Sequence, residues 1–100
     1  MLELGGNITL VGFKELEKAE LVVVKKIVGR YARKMSDTLL GFKSLRVSLK
    51  PVHKTEAGEK YEIHAKAMVE GRPVNADTTE RNLFVGLDSV LKNILQIVGK

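Results

Sequence analysis

Two stretches of this chain alternate apolar and polar residues almost without interruption, and nothing else in it restricts the fold as much. In "SLRVSLK" (44–50), Leu45, Val47 and Leu49 take one side while Arg46, Ser48 and Lys50 take the other. In "KYEIHAKAMV" (60–69), Tyr61, Ile63, Ala65, Ala67 and Val69 alternate with Lys60, Glu62, His64, Lys66 and Met68. A period of two belongs to strands, whose successive side chains point to opposite faces. Each such strand has an apolar side that something must cover. The polar stretch between them, "PVHKTEAGE" (51–59), contains Gly58 and has the composition of a hairpin connection.

The cover comes from two amphipathic helices. Across "KELEKAELVVVKKIVGRYARKM" (14–35), Leu16, Val23, Val24, Ile27, Val28, Tyr31 and Met35 fall on one broad face at about 100° per residue. The β-branched run at 22–24 would suit a strand equally well. The helical period continues on both sides of it, with Glu and Lys throughout, and that decides for helix. At the other end of the chain Asn82 is a good N-cap, and Leu83, Leu87, Val90, Leu91, Ile94 and Val98 form the stripe of a second helix. "NITLVGF" (7–13) reads as a first strand with Ile8, Leu10 and Gly12 on one side, and "SDTLLGF" (36–42) as a turn. After Gly71-Arg72-Pro73 a short last strand follows at 74–79, with Val74, Ala76 and Thr78 sharing a face. Pro73 cannot donate a ladder bond, which places it at a strand start or edge. The expected order is β-α-β-β-β-α. It describes one α+β domain over 1–100, a four-stranded, mainly antiparallel sheet with two helices packed on one face.

Composition narrows the function. A hydrophobic fraction of 44% in 100 residues supports a single core. There is no cysteine and there are two histidines, His53 and His64, so disulfides and thiol chemistry are out and a metal site has few ligands to draw on. The N-terminus shows no signal-peptide pattern and no segment has the roughly 20 apolar residues that span a bilayer. A cytoplasmic protein without cofactor or metal is expected. Lys and Arg number 17 against 12 Asp and Glu, a net charge of +5 that is compatible with a polyanionic partner.

Much of that positive charge falls on the first helix. Helical spacing puts Lys18, Lys25, Lys26 and Arg33 away from the apolar face, around Val22 and Gly29, with Arg30 and Lys34 toward its flank. Such a stripe suits successive phosphates of a nucleic acid. The competing explanation is a solvated face whose cations complement the helix C-terminus. Tyr31 lies in the apolar stripe and is assigned to the core. The open face of the sheet (Arg46, Ser48, Lys50, Glu62, His64 and Lys66) carries no aromatic platform for base stacking. His64 beside Glu62 or Lys66 reads as a surface histidine, and His53 would meet it only across the hairpin. No Gly-rich phosphate loop or carboxylate pair beside a base marks an enzyme.

The order β-α-β-β-β-α resembles the ribosome hibernation-promoting factors and ribosome-associated translation inhibitors, whose fold is akin to the double-stranded-RNA-binding domain. "NADTTERNLFVGLDSVL" (75–91) is similar to the stretch in which that family runs from a strand through an acidic turn into a helix beginning D-M-Y-x-A-I-D; here Asn82-Leu83-Phe84 open the helix and Leu87-Asp88 follow. "NITLVGF" followed by a basic helix resembles its N-terminal half. The resemblance implies binding to ribosomal RNA of the small ribosomal subunit, in the channel used by messenger and transfer RNA, and a block of translation by occlusion. It carries over to Lys18, Lys25, Lys26, Arg30, Arg33 and Lys34, and on the second helix to Lys92. Family members load that helix and its tail with lysines, whereas here only Lys92 and Lys100 stand there, as in a short form without the extension that pairs ribosomes. The alternative is a small self-associating domain of the same fold that binds no RNA. A homodimer contact would then involve Val22, Gly29 or Met68, or the strand at 74–79 extending a sheet between chains.

Overall fold

Antiparallel pairing of the two alternating stretches forms the centre of the computed structural model. The structure describes residues 2–3, 7–14, 16–55 and 58–98, and the side chains of 7–14, 16–50 and 60–98. Its elements are β1 (Leu2–Glu3), β2 (Ile8–Val11), α1 (Lys18–Thr38), β3 (Phe42–Thr55), β4 (Gly58–Val69), β5 (Arg72–Glu80) and α2 (Leu83–Val98). The sheet order is β1-β2-β3-β4-β5, with β2 parallel to β3 and every other pair antiparallel. The four expected strands and both helices are present. The two-residue β1 adds a short antiparallel partner to β2 that no periodicity announces.

In the β3–β4 ladder Leu45 faces Ala67, Val47 faces Ala65 and Leu49 faces Ile63. Bulky residues of β3 therefore stand mostly beside small ones of β4, which leaves room for helix side chains. Val24, Val28 and Met35 of α1 and Leu87, Val90, Leu91 and Ile94 of α2 fill it, each with no exposed surface. Burying each such side chain stabilises by about 1.5–3 kcal/mol. No polar or charged residue is buried among those described. The α2 stripe is borne out from Leu83 to Ile94, with Val98 half-buried at its end. Asn82 caps α2 as expected, its Oδ1 accepting the amides of Phe84 at 3.0 Å and Val85 at 3.2 Å. No helix among the described residues is long and apolar enough to cross a membrane.

Three boundaries differ from the sequence expectation. First, α1 begins at Lys18, not Lys14, because Phe13 is drawn fully into the core. The chain turns there, with the Leu16 amide donating to the Phe13 carbonyl at 3.2 Å. The helix starts only where the Glu20 carboxylate accepts the Glu17 amide at 3.3 Å. It then runs on to Thr38, into the expected turn. Second, 51–59 is not a loop: β3 continues to Thr55, β4 starts at Gly58, and those two residues are paired. The tip at 56–57 lies outside the described residues. Third, β5 is longer than 74–79 and opens at Arg72. The turn before it is a two-residue hairpin in which Glu70 (φ 54°) and Gly71 (φ 76°) are both left-handed, the geometry that suits the strand twist. Glu70 is held there by its amide, which donates to the Gly41 carbonyl at 2.9 Å.

Gly12 is the tightest backbone approach. Its φ is 84°, and a Cβ there would lie 2.2 Å from the Leu49 carbonyl oxygen. Gly12→Ala is therefore expected to destabilise the domain by about 2–4 kcal/mol, read as a lower urea midpoint at unchanged slope. A loss under about 0.5 kcal/mol would contradict the close β2–β3 contact.

Candidate nucleic-acid interface

An α-helix whose apolar stripe is pinned to a sheet must hold its opposite face in solvent, and in α1 that face is cationic. Lys18, Lys25, Lys26, Arg30, Arg33 and Lys34 are all exposed. Sixteen residues separate Lys18 from Lys34, so the row extends about 24 Å along the helix axis. Val22, half-exposed at 52%, sits within it, and Asp37 adds one carboxylate near its end. The last turn of α1 carries no basic residue, so these cations do not serve mainly as complements to the helix C-terminus. Among the described residues only Arg30, of the seven expected contacts, has a carboxylate within ion-pair distance: its Nη2 lies 4.0 Å from Asp88 Oδ1. That pair is solvated and worth little.

Lys92 is exposed on α2 and shares with Lys34 the lining of the groove between the helices, whose walls also include Tyr31, Asp88 and Gln96. The structure thus brings Lys34 and Lys92 together from distant parts of the chain, while Lys18 stands at the far end of α1. Lys100 lies outside the described residues. The wall of the groove holds a junction that spacing could not reveal, because its members are 57 residues apart: the Tyr31 hydroxyl donates to Asp88 Oδ1 at 2.6 Å. Arg30 lies over the Tyr31 ring, 5.7 Å from its centroid. Tyr31 is half-buried against the core, and its one polar atom is used to tie α1 to α2.

The open face of the sheet is organised differently. Lys50, Glu62 and Thr79 lie in one cross-strand row, Ser48, His64 and Asp77 in the next, Arg46, Lys66 and Asn75 in a third. His64 Nε2 is 2.7 Å from Glu62 Oε1, and its Nδ1 is 3.7 Å from Asp77 Oδ2. The pairing with Glu62 follows from i, i+2 spacing, but Asp77 needed the β4–β5 register. His53 is five residues from Ser48, which pairs with His64, so the two histidines are about 16 Å apart along the ladder and do not approach each other. The His53 side chain is outside the described residues. No group of three or more His, Asp or Glu that could hold a metal ion occurs among the described residues.

Together these features define a two-layer α+β domain with one parallel strand pair, an open sheet on one side and a cationic helix on the other. Solved structures share it, these two among them. A ribosomal subunit interface protein from Coxiella burnetii superposes with a TM-score of 0.59 at 12% identity, covering 93% of this chain and 91% of that one. The N-terminal domain of Protein Y from Thermus thermophilus gives a TM-score of 0.58 at 14% identity, with 91% of each chain covered. At such identities the likeness is one of fold, and it agrees with the fold that the sequence resemblance implied. No protein-family model matches the sequence, and a search of curated proteins finds no relative.

Burial, then the hydrogen bond to Asp88 and its negative charge, push the Tyr31 hydroxyl up to about 12, against a smaller opposing effect of Arg30. The unfolded chain releases this proton near pH 10, so the stabilisation is complete below pH 10 and is lost as pH rises from 10 through 12. Tyr31→Phe is expected to lower stability at pH 7 by about 0.5–1.5 kcal/mol and to flatten the alkaline loss. Urea denaturation of both proteins between pH 8 and about 11.5 checks it. Equal alkaline slopes would show that Tyr31 does not keep its proton through the fold.

Proposed function

We propose that this protein is a non-catalytic, cytoplasmic, ribosome-associated factor that docks on small-subunit ribosomal RNA through the cationic face of α1 and blocks translation by occupying the channel of messenger and transfer RNA. The observation that carries the reading is the row of Lys18, Lys25, Lys26, Arg33 and Lys34, exposed and without a carboxylate partner among the described residues, on a fold shared with a ribosomal subunit interface protein. Charges in that state are free to neutralise phosphates, and the cations condensed on the nucleic acid that are thereby released supply binding free energy. Arg30 is steadied by Tyr31 and Asp88 at the edge of the row, and Lys92 extends it over the groove. The open sheet lacks aromatics among its described outward residues, which turns the docking side toward the helices.

Lys25→Glu, Lys26→Glu and Arg33→Glu combined should remove co-sedimentation with small ribosomal subunits on a density gradient while leaving the thermal midpoint within a few degrees of the parent. The salt dependence of RNA binding should fall by about 0.7–0.9 in log–log slope for each cation lost from contact. Unaltered co-sedimentation of the triple variant would remove α1 from the interface. Failure of the parent protein to travel with ribosomal particles at low salt would overturn the ribosomal reading itself.

A further inference from the structure

The outer edge of the sheet is open along β5, and its side chains match their own two-fold image. The Glu70–Gly71 turn makes Val69 and Arg72 the hydrogen-bonded pair that closes the hairpin. Alternation from there directs the backbone groups of Pro73, Asn75, Asp77 and Thr79 away from β4, toward the free edge. Pro73 fits, since its missing N–H is not needed by β4. Asn75, Asp77 and Thr79 are exposed.

We infer that β5 pairs antiparallel with β5 of a second copy of this chain, across a two-fold axis at Ala76. In that register Asn75 faces the partner's Asp77 and the two exchange both backbone bonds, an amide side chain beside a carboxylate. The Thr79 amide donates to the carbonyl of the partner's Pro73. Arg72, exposed and without an ion partner among the described residues, faces the partner's Glu80, and the axis makes this pair twice. Moving the axis to residue 77 would set two Asp77 carboxylates against each other, and moving it to residue 75 would leave Arg72 opposite a threonine. The charge pattern thus selects one register.

The helical layer supports the same axis. In an antiparallel edge-to-edge pair the two-fold is perpendicular to the sheet, so both copies keep their helices on one side. α2 lies over β5 and β4. With strands about 4.8 Å apart, an axis midway above those strands sits about 5 Å from the seam, and the two α2 helices come about 10 Å apart, a normal packing distance. Gly86 lies on the side of α2 opposite α1, where its Cβ would be 2.7 Å from Ile63 Cδ1 of β4 and 2.9 Å from Glu80 Cβ of β5. Ile97 is eleven residues on, hence on the same side and about 16 Å further along the helix. Ala76 is four residues back along β5 from Glu80, about 13 Å in the same direction. Ile97, 56% exposed in the single chain, therefore stands within about 3 Å of the axis level, where it would meet its own copy.

The inference is independent of the ribosomal reading, and its test contains no RNA. Nuclease-treated protein in 0.5 M salt is measured by sedimentation equilibrium up to about 1 mM. The expected result is a species of about twice the 11.1 kDa chain mass. Asn75→Pro removes an outward amide that β4 does not use, and should weaken the dimer at least about tenfold with the fold retained by circular dichroism. The chain has no cysteine, so a single introduced one reports the register. Ala76→Cys should form an intermolecular disulfide on mild oxidation, and Val74→Cys should not. A monomer at every concentration overturns the proposal, as does a dimer equally tight in Asn75→Pro or one that cross-links through Val74→Cys and not Ala76→Cys.

Discussion

The contact between the apolar side of β3–β4 and the two helices determines where every other surface of this protein lies. Leu45, Val47 and Leu49 on one strand and Ile63, Ala65 and Ala67 on the next form a surface uneven in height, high over β3 and low over the alanines. Helices settle on such a surface only in orientations that put bulk over the low strip, and α2 supplies it with Leu87, Val90, Leu91 and Ile94. Once those residues are committed, the cations of α1 have no inward direction available and face solvent. The polar side of the sheet is open for the same reason: both covering elements are spent on one face.

The sequence made the strands, helices and core stripes legible because each rests on a period, and a period survives without tertiary information. Leu45, Val47, Leu49, Ile63, Ala65, Ala67 and Val69 are all buried as their alternation requires. Boundaries were less legible because they are set by long-range competition. The helix starts four residues later than its period suggests because the core takes Phe13 just before it, and no local preference records that demand. The polar stretch 51–59 has the composition of a hairpin connection. Its strand character comes from continuing a ladder already in register, so that Pro51 and Tyr61 still pair.

For the site, the split is similar. The exposure of Lys18, Lys25, Lys26, Arg30, Arg33 and Lys34 follows from helical spacing, and these residues are where that spacing puts them. What spacing could not show is partnership across elements. Arg30 differs from its neighbours because Asp88 is packed against α1, and Lys92 belongs beside Lys34 only because α2 crosses there. The Glu62–His64–Asp77 arrangement likewise appears only with the strand register.

The excess of positive charge is distributed in a way that separates two kinds of surface. On the open sheet, Lys50 pairs in register with Glu62, and His64 stands between Glu62 and Asp77, so charges of both signs lie side by side within a few ångströms. Those two rows have little net field and are suited to staying solvated, whereas in the third row Arg46 and Lys66 face each other with no carboxylate between them. On α1, six of the 17 Lys and Arg residues share one helix with only Glu20 and Asp37 to oppose them. A field of one sign survives there beyond the first hydration shell, about 8–10 Å at ordinary ionic strength. Its position relative to the β5 edge then matters. Asp88 marks the side of α2 that touches α1, through Tyr31, and Gly86 lies on the opposite side, against Ile63 of β4 and Glu80 of β5. Because two sides of a single helix separate them, a chain joined to its copy along β5 would keep both cationic faces outward, one at each flank of the pair, free to engage separate anionic surfaces at the same time.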